Sequence, residues 1–233
     1  MLNKIDIYHR EEEFFQDLNN FNSQNKMGVL SFFNHHCYNL CYQNTIYRKR
    51  VLNSDFLLRD GSGIKIALKK KGYHQGLNLN GTDLIPKIVK YYDSKKSNFF
   101  IFGSTMPWVE FAATQLVYKN NCFFLDGFQK DHDYLDHIKK RINDNSINII
   151  LLGMGMPRQE NLSSIIKEQF SNYPGLIING GGILDFVSNR KKRAPMMMRK
   201  LGIEWLFRLI IEPRRLFYRY VIGIPIFFFR ILK

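Results

Sequence analysis

Four stretches of the chain combine chemically capable residues with spacings that bring a ligand close. The first is Asp60-Gly61-Ser62-Gly63, where an aspartate beside a glycine-rich turn presents a carboxylate to a molecule the backbone can approach. The same residues also make an ordinary turn or helix cap, so the stretch gains meaning only in company. The second is Gly153-Met154-Gly155-Met156-Pro157-Arg158-Gln159-Glu160. A glycine turn that opens a helix leaves backbone N–H groups pointing at a phosphate or ribose. Gln159 and Glu160 carry side chains able to hydrogen-bond a base or a sugar hydroxyl, although a glutamate here also serves as a simple cap. The third is Asn179-Gly180-Gly181-Gly182-Ile183-Leu184-Asp185. Three glycines after an apolar run allow close backbone approach to a ligand, or merely tight packing. The fourth is a basic series of Arg193-Ala194-Pro195, Glu204 to Leu209 with Arg208, Glu212-Pro213-Arg214-Arg215, and Arg219-Tyr220. Arginine forks match phosphate geometry, and a solvated basic helix is the plain alternative.

Two other chemistries fit poorly. A dinucleotide fingerprint needs glycines in the GxGxxG spacing, and position 158 is Arg, which disfavours NAD and a nucleotide-dependent oxidoreductase. His35-His36-Cys37 with Cys41 has no second ligand pair at a zinc-like spacing, so no metal site is expected.

The elements that must position these residues follow an alternating pattern. Asn98–Phe102, Cys122–Leu125, Ile147–Leu152 and Leu176–Ile178 are short apolar runs, and each leads through glycine towards a helical pattern. Continuous apolar strands of this kind predict a parallel sheet with helices on its faces, an α/β fold. Ligands of such sheets gather at the carboxyl ends of the strands, here Gly103, Asp126, Gly153 and Gly180. After Asn189 the character changes. Ile203, Leu206, Phe207 and Ile210 have the spacing of an amphipathic helix, Pro213 ends or kinks it, and Arg215 and Arg219 follow four apart, on one face of any helical turn. The expected organisation is therefore a catalytic domain over 1–189 and a basic appendage over 190–233.

Charge marks the same boundary. Of 233 residues, 34 are Lys or Arg and 20 are Asp or Glu, a net charge of +14. Twelve basic residues against Glu204 and Glu212 place +10 of that excess after Asn189. One basic end is a docking surface for nucleic acid, anionic lipid or a diphosphate. Phe227, Phe228 and Phe229 beside Arg230 and Lys233 read as an interfacial anchor. The three cysteines make no disulfide framework, which points to a reducing compartment. The start has no apolar run fit for a signal peptide, and no stretch reaches the roughly 20 apolar residues that cross a bilayer.

Taken in order, these stretches resemble the WecG/TagA/CpsF family of bacterial glycosyltransferases. The resemblance rests on Asp60-Gly61 with Gly63, Gly81-Thr82-Asp83-Leu84, Gly103, Asp126-Gly127-Phe128, Gly155 with Pro157, Gln159 and Glu160, Gly180-Gly181-Gly182 with Asp185, Arg193-Ala194-Pro195, Glu204-Trp205-Leu206 with Arg208-Leu209, and Glu212-Pro213 with Arg215. It covers roughly residues 25 to 220.

The resemblance implies a Rossmann-like α/β domain whose C-terminal appendage meets the inner face of the cytoplasmic membrane. It implies an inverting, metal-independent transfer of N-acetylmannosamine or a related sugar from a UDP-sugar. The implied acceptor is a sugar, commonly N-acetylglucosamine, on undecaprenyl diphosphate, in teichoic acid, enterobacterial antigen or capsule assembly. A capacity for self-association comes with it. Asp60 matches the family's proposed catalytic base, and Asn34 matches the asparagine of an upstream Thr-Pro-Asn-like triplet whose threonine position falls on Phe32, with Ser31 next to it. The expected donor-binding set is Gly61, Gly103, Asp126, Gly155, Gln159, Glu160, Gly180, Gly181, Gly182 and Asp185, with Arg193, Arg208, Arg215 and Arg219 for the diphosphates. Two readings compete with transfer: an inactive scaffold, favoured by Phe32, and a nucleic-acid-binding protein, favoured by Tyr218 and Tyr220 among arginines but leaving the glycine-rich strand ends without a purpose.

Overall fold

The computed structural model describes residues 1–233. Six strands form one parallel sheet in the order β2-β1-β6-β5-β3-β4. They are β1 (Met27–Phe33), β2 (Phe56–Arg59), β3 (Ser97–Gly103), β4 (Asn121–Leu125), β5 (Ile147–Gly153) and β6 (Gly175–Asn179). The central strands are nearly unbroken runs of Phe, Ile and Leu because helices cover both faces, leaving no solvated side to call for polar alternation. β4 closes one edge and is only partly covered. The Rossmann-like parallel α/β architecture is as expected. Sequence pattern located β3 to β6, whereas β1 and β2 emerge only in the structure.

Side-chain alternation sorts the core into two faces. On one, Leu30, Phe99, Ile101, Ile149, Leu151 and Ile178 meet α1 (Glu11–Asn22), α5 (Gly81–Asp93), α6 (Trp108–Leu116) and the short α9 (Ile183–Val187). On the other, Val29, Phe100, Ile150 and Ile177 meet α7 (Asp131–Lys139) and α8 (Arg158–Gln169). A separate cluster on that side joins Phe33 and Leu57 to α2 (His35–Gln43), α3 (Thr45–Leu52) and α4 (Ser62–Lys70). Between these two clusters runs a buried polar seam. The Ser54 hydroxyl donates to Ser31 Oγ at 2.8 Å, and Asn179 Nδ2 reaches Ser31 Oγ at 2.9 Å and Ser163 Oγ at 3.4 Å.

Residues after Asn189 continue the fold as α10 (Met196–Lys200), α11 (Glu204–Ile211), α12 (Pro213–Phe217), a π-helical turn (Tyr218–Ile222) and α13 (Gly223–Leu232). Pro213 starts α12 at a position where its missing N–H has no partner to lose. α13 packs on α2 and α4: Phe227 and Ile231 are fully buried beside Cys37, Tyr38 and Ile64. Asn39 Nδ2 donates to the Gly223 carbonyl at 2.7 Å, and Arg230 Nη1 donates to Asn39 Oδ1 at 2.8 Å. The phenylalanine triplet is thus split, against the expectation of a common interfacial role. A helix turns about 100° per residue, so Phe227 faces the core while Phe229 is 60% exposed. No helix is long and apolar enough to cross a membrane.

Candidate active site

Asp60 follows β2 and Asn34 follows β1, neighbouring strands whose ends lie side by side. The Asp60 N–H donates to the Phe33 carbonyl at 3.0 Å, which fixes the backbone. Asn34 is used at both ends of its amide. Its Oδ1 caps α2 by accepting from the His36 and Cys37 N–H groups, so its Nδ2 is left to donate to Asp60 Oδ2 at 3.2 Å. The helix cap therefore decides which way the amide faces.

The turn after Asp60 is held from beneath. Gly61 adopts φ +87° and its N–H donates to Asn78 Oδ1 at 2.8 Å. The buried Arg59 guanidinium donates to the carbonyls of Leu77, Gly76 and Gly61 at 3.1, 3.1 and 3.3 Å. Arg59 and Asn78 carry no motif, and sequence reasoning missed both.

Two arginines of the appendage reach this turn electrostatically. Asp60 keeps part of its surface open but is densely surrounded, and burial raises its carboxyl above the usual range. The Asn34 hydrogen bond and the positive charges of Arg208 and Arg219 oppose that rise, while Glu204 adds to it. Arg208 pairs with Glu204 at 2.5 Å and stacks over Phe186 at 4.7 Å. The Nε donors of both Arg208 and Arg219 are buried without a partner in the protein. His35 and His36 are pushed down to about 3 and about 4 by burial and then by Arg219, so both are neutral at pH 7.

The other candidate arginines go elsewhere. Arg193 pairs with Asp83 at 2.7 Å, and Arg215 pairs with Glu212 at 2.5 Å on the exposed side of α12. Arg215 is exposed, whereas the Nε of Arg219, four residues on at the π turn, is buried.

The glycine turns line the remaining strand ends. A Cβ on Gly103 would lie 2.3 Å from the Gly153 carbonyl, so two neighbouring strand ends touch backbone to backbone. Ser104 then donates to Asp185 Oδ1 at 2.7 Å, joining the β3 turn to α9, and Asp185 also pairs with Lys191 at 2.9 Å. Asp126 accepts from the Phe128 N–H and the Gln129 amide and so shapes its own turn. Gly180 donates to the Leu152 carbonyl, Gly181 sits at φ +60°, and Gly182 precedes α9. Gln159 and Glu160 are buried, with polar partners inside the protein, rather than displayed at the surface. Cys37 and Cys41 are buried, and Cys37 Sγ accepts from the Tyr47 hydroxyl at 3.5 Å.

A family model described as "Glycosyl transferase WecG/TagA/CpsF family" matches residues 2–233, beyond both ends of the segment that carries the motifs. This chain belongs to that family. It is 30% identical over 193 residues to an N-acetylglucosaminyldiphosphoundecaprenol N-acetyl-beta-D-mannosaminyltransferase of Staphylococcus aureus strain NCTC 8325 / PS 47. The match covers 80% of this chain and 72% of the relative. The protein of the same name from strain MRSA252 is 29% identical over the same coverage. The chain is thus a glycosyltransferase, and the glycine-rich strand ends belong to a transferase fold.

Within this family frame the Phe32 departure has a plain structural outcome. Phe32 is buried on the α5 side, where a Cβ on Gly81 would meet its ring at 3.2 Å, and the Ser31 hydroxyl is taken up by the polar seam. Neither side chain adds a free hydroxyl beside Asp60.

Proposed function

We propose that this glycosyltransferase moves N-acetylmannosamine or a related sugar from its UDP donor to N-acetylglucosamine on undecaprenyl diphosphate, with Asp60 as general base. The observation that carries the proposal is a carboxylate, Asp60, held by the Asn34 amide in the field of two nearby guanidinium groups, Arg208 and Arg219, each with a buried Nε donor that has no partner. A carboxylate can take the acceptor's proton, and unpaired guanidinium donors suit a diphosphate. The names of the Staphylococcus relatives supply the sugar and the acceptor.

In this mechanism the acceptor hydroxyl gives its proton to Asp60 while its oxygen bonds to the anomeric carbon. The bond from that carbon to the phosphate oxygen breaks, and UDP departs with the electron pair. Attack from the opposite side inverts the centre. Arg208 and Arg219, together with backbone N–H groups at the glycine turns, meet the growing charge without a metal ion. Exposed Met196, Met197, Leu201, Ile210, Phe217 and Phe229 stand among the arginines of the appendage and would rest on an anionic membrane surface.

The test is transfer from UDP-N-acetylmannosamine to a lipid-diphosphate N-acetylglucosamine acceptor by wild type and Asp60→Asn. The variant is expected to lose about 10²–10⁴-fold in rate while still binding UDP. Wild-type turnover by Asp60→Asn removes the base, and a wild type stabilised by short DNA but not by UDP removes the transferase reading of the site.

A further inference from the structure

Gln159 stands at the start of α8, yet its amide is spent entirely within the protein. Its Oε1 accepts from the Gly155 N–H at 3.2 Å and from the Gly181 N–H at 2.9 Å. One side-chain oxygen thus ties the turn after β5 to the turn after β6. Both glycines have positive φ, +80° and +60°, and the space where a Cβ would stand is open at each.

A primary amide has two nearly isosteric orientations, and only one works here. If Gln159 were flipped, its NH₂ would face two N–H donors, and both bonds would be lost. Glu160 anchors the other end of the amide in that same orientation, its Oε1 accepting from Gln159 Nε2 at 2.8 Å. A carboxylate oxygen takes a bond from the NH₂ end but none from the carbonyl end. Glu160 is 3% exposed, and its second oxygen has no partner in the protein. Burial pushes its carboxyl up to about 7, partly opposed by the Gln159 bond. The polar seam runs behind it, with the Ser163 hydroxyl donating to the Glu160 carbonyl at 3.1 Å.

We infer that Glu160 is a positioning residue of the donor site: it holds the Gln159 amide in the orientation that locks the Gly155 and Gly181 turns together. This rests on the reading of those turns as part of the UDP-sugar site. Glu160 itself touches no substrate. It acts through Gln159 on the spacing of two backbone segments that the donor spans.

The experiment compares the wild type with Glu160→Leu and Glu160→Gln. It reads amide hydrogen exchange at Gly155 and Gly181 and UDP affinity by calorimetry. Leucine removes the acceptor, so exchange at both amides should speed up and UDP affinity should fall about 10-fold, the effect of one buried hydrogen bond. Glutamine keeps an acceptor for Gln159 Nε2 and should stay within about 3-fold of wild type in both readouts. Unchanged exchange in Glu160→Leu overturns the inference, and so does faster exchange with unaltered UDP affinity. If Glu160→Leu loses protection throughout the fold, the swapped pair Gln159→Glu/Glu160→Gln decides. A carboxylate at position 159 accepts from both glycines in either orientation, while its other oxygen takes a bond from the amide that Glu160→Gln introduces. Retained protection supports the inference and lost protection overturns it. A wild type that binds no UDP refutes the donor reading alone, because the exchange arm still judges Glu160.

Discussion

Replacing Phe227 by alanine tests whether side-chain packing alone brings Arg208 and Arg219 to Asp60. The ring is fully buried and meets Tyr38 edge-on at 5.2 Å and His35 at 6.3 Å. A Cβ on Gly63 would lie 3.4 Å from it, so it also covers the turn after Asp60. Phe→Ala truncations in a core cost about 3–5 kcal/mol. Other ties of α13 include Ile231, the Asn39 bonds to Gly223 and Arg230, and Arg230 over the Tyr42 ring. At 1.36 kcal/mol per tenfold, a loss of about 3 kcal/mol raises the undocked population more than about 100-fold. Hydrogen exchange with mass spectrometry reads this directly. Amides of Gly223–Leu232 should exchange at least about 100-fold faster, those of Ile147–Gly153 should change far less, and sugar transfer should fall with the undocking. Equal acceleration in both segments would refute the reasoning, because the appendage would then unfold only with the sheet. Unchanged exchange in Gly223–Leu232 would refute it too, because Phe227 would not be what holds α13.

Asn34→Ala removes the α2 cap, costing about 1 kcal/mol in a thermal melt, and the hydrogen bond that favours ionised Asp60. Without that bond the Asp60 carboxyl titrates higher, so the acid limb of the rate–pH profile should move to higher pH; an unmoved limb counts against the contact. Arg219→Ala should weaken UDP binding in calorimetry more than Arg215→Ala, since Arg215 is already held by Glu212 at the surface. Equal effects would mean that the two arginines are not distinguished as the fold suggests. Arg59→Ala leaves three carbonyls without their donor and should lower stability by about 2–4 kcal/mol in denaturant unfolding, with a change under about 0.5 kcal/mol ruling out the clamp.

Local pattern was enough for the parallel α/β class. Apolar runs that each end in glycine and lead into a helical period mark β3, β5 and β6, because burial on both faces is written into consecutive residues. The ordered motifs from Asp60 to Arg215 were enough for the family, and Asp60 could be singled out beside its glycines before any coordinates. The helix of the appendage was legible from its spacing, as α11 confirms. Partner choice was not legible. Twelve basic residues follow Asn189, and only the folded chain shows that Arg208, paired with Glu204, and Arg219 bear on Asp60 while Arg193 and Arg215 pair with Asp83 and Glu212 away from it. Gln159 and Glu160 look alike as exposed ligands or buried struts in one dimension, since Gln159 is occupied by backbone N–H from a turn 22 residues away and Glu160 by Gln159 in turn. Composition and period report which face of an element is buried, but the hydrogen-bond and charge partners of that face come from segments far along the chain, and only tertiary packing brings those together.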